Sequence, residues 1–189
     1  MTSEYELMTA ITNLVIFITS IIILINIKNN KIWSLFFKFI IIDSFLGIIV
    51  HSINMSNTLY EILWGVLCIL FVITFNTLLH IFGNIKLKNI AIISILISTI
   101  LILEVIFDLN YVITFIIYAI IVVLTSIYLL IKNKYQNKEY FIAGIVVQLI
   151  GVIPTFLKIG IGNFNHNCIT HTFTLITIVI FYIGIKKSR

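Results

Sequence analysis

Seven stretches of about 20 mostly apolar residues, separated by short polar breaks, constrain this chain more than any other feature. A helix rising 1.5 Å per residue needs about that many apolar positions to cross the hydrocarbon core of a bilayer. The stretches lie near 7–27, 32–53, 58–82, 88–107, 110–131, 139–158 and 168–185. Of the 189 residues, 61% are hydrophobic and 10% are charged. A soluble domain is apolar at only ~45–50% of its positions, so this chain has too little polar surface to face water on all sides. Lipid gives the backbone no hydrogen-bond partner, which leaves helices or a closed barrel, and the runs lack the two-residue alternation of barrel strands. The sequence therefore predicts an all-α integral membrane protein. Its expected form is a single bundle of seven transmembrane helices in one domain, 1–189, because the connections leave no room for another.

The basic residues give this bundle a direction. Cytoplasmic loops collect Lys and Arg, and alternate loops of a helical bundle face the same side. Ten of the twelve basic residues sort to one side: Lys28, Lys31, Lys86, Lys88, Lys132, Lys134, Lys138, Lys186, Lys187 and Arg189. Only Lys158 falls opposite, while Lys38 lies inside the second segment. The amino terminus is thus expected outside and the carboxyl terminus in the cytoplasm, in a multi-pass protein of the cell (plasma or inner) membrane. The net charge of +5 is accounted for by this placement, so no nucleic-acid partner is expected. The first segment lacks a basic start and a small-residue cleavage pattern, and reads as a retained helix rather than a leader. Pro154 is expected to kink the sixth helix. Cys68 and Cys168 show neither metal-type nor disulfide-framework spacing. Trp33 and Trp64, near segment starts, read as interfacial anchors.

Ionisable groups inside a membrane segment are costly and mark candidate sites unless a nearby helix end lets them reach water. With this orientation His51 ends the second helix, Glu61 opens the third, Glu104 and Asp108 close the fourth, and His166 and His171 bracket the start of the seventh. All six fall toward the outer face, whereas His80 stands alone at the inner end of the third helix. Residues four apart share a helix face, so Asp43, Gly47 and His51 form one ridge, with Ser44 close to its line. Lys38 and Asp43, five apart, could pair. His166 and His171 are also five apart, about 140° around a regular helix, and can meet one ion only if His166 lies in the preceding loop or cap. Asn167 would then cap the seventh helix.

Three neutral imidazoles with an open fourth position make a hydrolytic zinc site, in which the metal lowers the pKa of bound water to about 7. The expected ligands of Zn2+ are His51, His166 and His171. Glu61, Asp108 or Asp43 would take the second ring proton of a ligand and shuttle protons, and Asn167 or Ser44 would steady the oxyanion.

The stretch Asn163-Phe164-Asn165-His166-Asn167 followed by His171, with His51 ending the second helix and an acid opening the third, resembles a known superfamily. This is the alkaline-ceramidase-like (CREST-type) group of seven-helix membrane hydrolases, and most of all a bacterial branch with a Phe-Asn-His-Asn and downstream His signature. The resemblance implies zinc held by one second-helix and two seventh-helix histidines, and hydrolysis of a lipid amide or ester near the outer leaflet, with a membrane lipid as partner. Here Gly47 replaces the superfamily's serine four residues before the second-helix histidine, and Glu61 replaces its aspartate. Two other readings compete with this one. His51 and His171 could be axial ligands of a haem, or the bundle could be a transporter, receptor or assembly factor without chemistry. The oligomeric state stays open.

Overall fold

The computed structural model describes residues 6–106 and 111–188. Among them are seven α-helices and no strand: α1 Leu7–Asn26, α2 Lys31–Ser52, α3 Asn57–Gly83, α4 Leu87–Ile106, α5 Tyr111–Lys132, α6 Lys138–Leu157 and α7 His166–Lys187. Each expected segment is a helix. Six, all but α5, are long and apolar enough to cross a membrane, and α5 adds a shorter apolar stretch, Ile117–Lys132. Large apolar side chains cover much of the outside; Ile25, Ile95, Leu124 and Leu157 are all more than 60% exposed. Such a surface suits lipid and not water.

Local chemistry sets the helix ends. Asn30 starts α2 by accepting the Trp33 amide on its side chain, and Asn165 starts α7 by accepting that of Cys168. The seventh helix therefore begins at His166, two residues earlier than expected. Two residues in the left-handed region, Asn137 and Lys158, flank α6, which continues through Pro154 for one more turn.

The chain divides into two compact units. The first holds α1, α2, the start of α3 up to Trp64, and α6 and α7. Here α1 pairs antiparallel with α2, and α6 with α7, while α1 and α7 run side by side in the same direction. An aromatic core fills the end where α2 and α6 begin and α7 stops. Trp33 is 2% exposed and stacks on Phe141 at 5.1 Å, with Phe36, Phe37 and Phe181 around it. Trp33 is thus a core residue and not the interfacial anchor expected from its place in the sequence. The pairing of α6 with α7 depends on Gly144 and Gly151, where a Cβ would come within 2.5 Å of Phe181 and 2.2 Å of Phe173.

The second unit, 65–135, holds the rest of α3 with α4 and α5 around Val72, Leu79, Ile90, Leu101, Tyr118 and Val122. Asn76 donates to Ser94 and Tyr118 to the Val72 carbonyl, which joins the three helices. His80 bonds the Ile85 carbonyl, as suits a satisfied residue at a helix end, and Glu104 accepts from Thr114.

A polar cluster where α1 and α7 begin and α2 ends

In the first unit, the end opposite the aromatic core gathers the polar side chains of three helices. The backbone amide of Glu6, immediately before α1, donates to the His51 carbonyl at 3.1 Å, which brings the start of α1 to the end of α2. The Glu6 carboxylate then meets His51 Nδ1 at 3.2 Å through Oε2. The same oxygen accepts from Thr9 Oγ1 at 2.7 Å and from Asn167 Nδ2 at 3.3 Å. His51 is the largest reason that this carboxyl lies well below the usual carboxylate range; burial opposes the shift, and Thr9, Asn165 and Asn167 assist it. His51 itself is 5% exposed, with the Trp64 ring edge-on at 6.1 Å.

His171, on α7, faces His51 with ring centroids 6.2 Å apart and planes at 72°. Its Nδ1 lies 3.0 Å from Thr12 Oγ1, whose single proton is committed to the Thr9 carbonyl at 2.8 Å. Thr12 therefore accepts from His171, and Nδ1 carries the proton. The Glu6 carboxylate, which can only accept, requires the same of His51. Each imidazole in its neutral form thus keeps a lone pair on Nε2, the nitrogen that a metal or a substrate proton would meet. A carboxylate behind a histidine, as Glu6 is behind His51, is a usual support for a metal ligand.

The other expected site residues stand elsewhere. His166 is the first residue of α7 and not part of the preceding loop, so its side chain leaves the helix about 140° around from that of His171. Among the described residues, no group of three or more His, Cys, Asp or Glu side chains could hold a metal ion as placed. Two imidazoles, His51 and His171, are brought face to face, and the described residues do not form the three-histidine centre. Asn167 spends an amide proton on Glu6, and the helix cap is Asn165. Ser44 donates to the Ile40 carbonyl of its own helix, two turns from His51. Asp43 lies in the middle of α2, and Glu61 is exposed near the start of α3. Asp108 lies outside the described residues. Lys38 is exposed and does not pair with Asp43.

Glu6 and Thr9 belong to no motif that the sequence displays. Their signal was topological: in an antiparallel pair, the residue before α1 must emerge beside the last residue of α2. Gly47 has a steric reason. A Cβ there would come within 2.8 Å of the Asn13 side chain, which lies against α2 at that point.

Fold and site together define, among the described residues, a helical protein with six helices long and apolar enough to cross a membrane and a facing histidine pair, one ring buried and one half-buried, backed by a carboxylate. Residues 8–189 match the model described as Family of unknown function (DUF6962), and the chain belongs to that family. No curated protein and no solved structure gives a match.

Proposed function

We propose that this protein is a multi-pass hydrolase of the cell membrane, with the end bearing Glu6, His51 and His171 toward the outer leaflet, acting on a lipid amide or ester. The observation that carries this reading is the pair of facing imidazoles, His51 buried and His171 half-buried, whose Nδ1–H groups are tied to Glu6 and Thr12. Polar machinery of this kind is costly among apolar helices and is retained where it has work to do. In this reading His51 and His171 hold Zn2+ through Nε2, and Glu6 and Thr12 fix their tautomers. Bound zinc supplies hydroxide at neutral pH by acidifying its water. Glu6, accepting the Nδ1 proton of His51, would raise the donor strength of that ring at Nε2. Asn167 keeps the Glu6 carboxylate aimed at His51, and apolar helix flanks receive the acyl chain of the lipid.

Metal content and turnover, measured on full-length protein in nanodiscs, test the proposal. Wild type is expected to carry zinc and to cleave a fluorescent lipid amide or ester. His51→Ala and His171→Ala should lose metal and at least 100-fold in rate, of the order seen when a catalytic zinc loses its support. His166→Ala should keep its metal, which separates this site from a three-histidine centre. Wild type without zinc and without turnover would end the hydrolase reading. A haem absorbance band lost in both variants would assign the pair to axial ligation instead.

A further inference from the structure

The connection from α6 to α7 is apolar where a turn is usually polar. The Ile161 amide donates to the Phe164 carbonyl at 2.7 Å, and the Phe164 amide returns a bond to the Ile161 carbonyl at 3.0 Å. Gly162, at the bend between them, takes the positive φ of 59° that so tight a turn demands. Gly160 lets the chain fold back on itself, since a Cβ there would come within 3.0 Å of the Phe164 carbonyl oxygen and 3.1 Å of Asn165 Cα. The hairpin is therefore closed, yet its isoleucines are left open. Ile159 is 45% exposed and Ile161 76%, the most of any large apolar residue among those described.

Depth decides what these side chains meet. With 20 residues α6 is about 30 Å long, the thickness of the hydrocarbon core, so the hairpin that follows it stands in the headgroup layer. Ile150, Ile153 and Leu157 share one face of α6 and are 48%, 50% and 65% exposed, as suits a surface against acyl chains. That apolar run continues past the helix end into Ile159 and Ile161. Lys158 stands among them, exposed, as the one basic residue on the lysine-poor side of the chain. Among the described residues no carboxylate pairs with it. An ammonium at a helix end, flanked by apolar side chains, matches a phospholipid, whose phosphate lies at that level with its acyl chains just beneath.

We propose that the hairpin 158–164 docks on a phospholipid of the leaflet at this end: Lys158 holds its phosphate, and Ile159 and Ile161 rest against the upper part of its acyl chains. The headgroup layer is wet, so water-soluble reagents still reach the turn from that side. The hairpin runs directly into Asn165, whose side chain accepts from the Thr9 hydroxyl at 3.2 Å, so one residue ties the docked lipid to the polar cluster. The docking does not depend on the hydrolase reading.

A fluorophore on Asn163→Cys, in full-length protein with Cys68 and Cys168 replaced by Ser, tests the docking in nanodiscs of phosphatidylcholine and phosphatidylglycerol. Lipids spin-labelled at the headgroup should quench most of the emission, and lipids labelled at the end of the acyl chain little of it. Ile161→Asp and Lys158→Glu, both at exposed positions, should each lose much of that quenching while melting as the parent does. No quenching by headgroup-labelled lipid overturns the proposal. So does equal quenching in the parent and in either variant, since nearness to lipid would then owe nothing to that side chain. If the chain without its cysteines fails to fold, native mass spectrometry of unlabelled protein decides. Wild type should retain more phospholipid than the double variant Ile161→Asp/Lys158→Glu, and equal retention overturns the docking. Neither readout depends on zinc or turnover, so failure here is distinct from failure of the hydrolase reading.

Discussion

Glu6 takes hydrogen bonds from His51, Thr9 and Asn167 on a single oxygen, and this makes it the residue on which the cluster depends. Its pKa is lower in the folded chain than in the unfolded one. Its contribution to stability is therefore present above the ordinary carboxylate value of about 4.3 and is lost as pH falls below it. At pH 7 the metal-free Glu6→Gln variant should melt below wild type. That gap should hold down to about pH 4.3 and narrow as the pH falls below it, and a gap that persists unchanged well below that value would refute the ionised pairing. Gly47 yields a second prediction at this scale. Replacing it with Ser drives a side chain into Asn13, an overpacking that costs about 1–3 kcal/mol. The same change restores the hydroxyl that the resemblance expects there. Gly47→Ser should lower thermal stability, and Gly47→Ser with Asn13→Ala should recover much of the loss.

At the scale of elements, the helices were legible because runs of about 20 apolar residues have few alternatives in a bilayer. Their ends were less so. Asn165 and Asn167 are equally good caps by residue type, and the choice rests on which side chain reaches an amide; Asn165 does, at Cys168. That two-residue difference puts His166 inside α7 and removes the third imidazole from the site. Trp33 was misplaced for a similar reason, since closeness to a segment start does not reveal that Phe141 and Phe181 arrive from distant helices to bury it. Glu6 was missed because its partners come from α2 and α7, a contact that only the packed unit creates. The cap makes its own prediction: Asn165→Ala should cost about 1 kcal/mol and speed amide exchange in the first turn of α7. Asn167→Ala should leave that exchange slow and weaken only the hold on Glu6.

At the scale of the whole molecule, charge and topology converge. In the first unit, Lys28, Lys31, Lys138, Lys186 and Lys187 all lie at the end where α1 and α7 stop and α2 and α6 begin. Lys186 and Lys187 rest over the rings of Tyr182 and Tyr140, at 5.7 Å and 4.7 Å, in the manner of side chains anchored at a membrane boundary. In the second unit, Lys86, Lys88, Lys132 and Lys134 likewise share the end where α3 meets α4 and α5 stops, tied by the Asn133 amide to the Phe82 carbonyl. The histidine pair occupies the lysine-poor end of its unit, and the proposed orientation, with the lysine-rich ends inside, would put it toward the outer leaflet. Single cysteines in a background lacking Cys68 and Cys168 test this directly. Ile161→Cys, at a position 76% exposed between α6 and α7, should react with a membrane-impermeant maleimide on intact cells. Lys134→Cys, beyond α5, should react only after the membrane is opened. The reverse pattern would turn the protein over and move the histidine pair, with any lipid it cleaves, to the cytoplasmic leaflet.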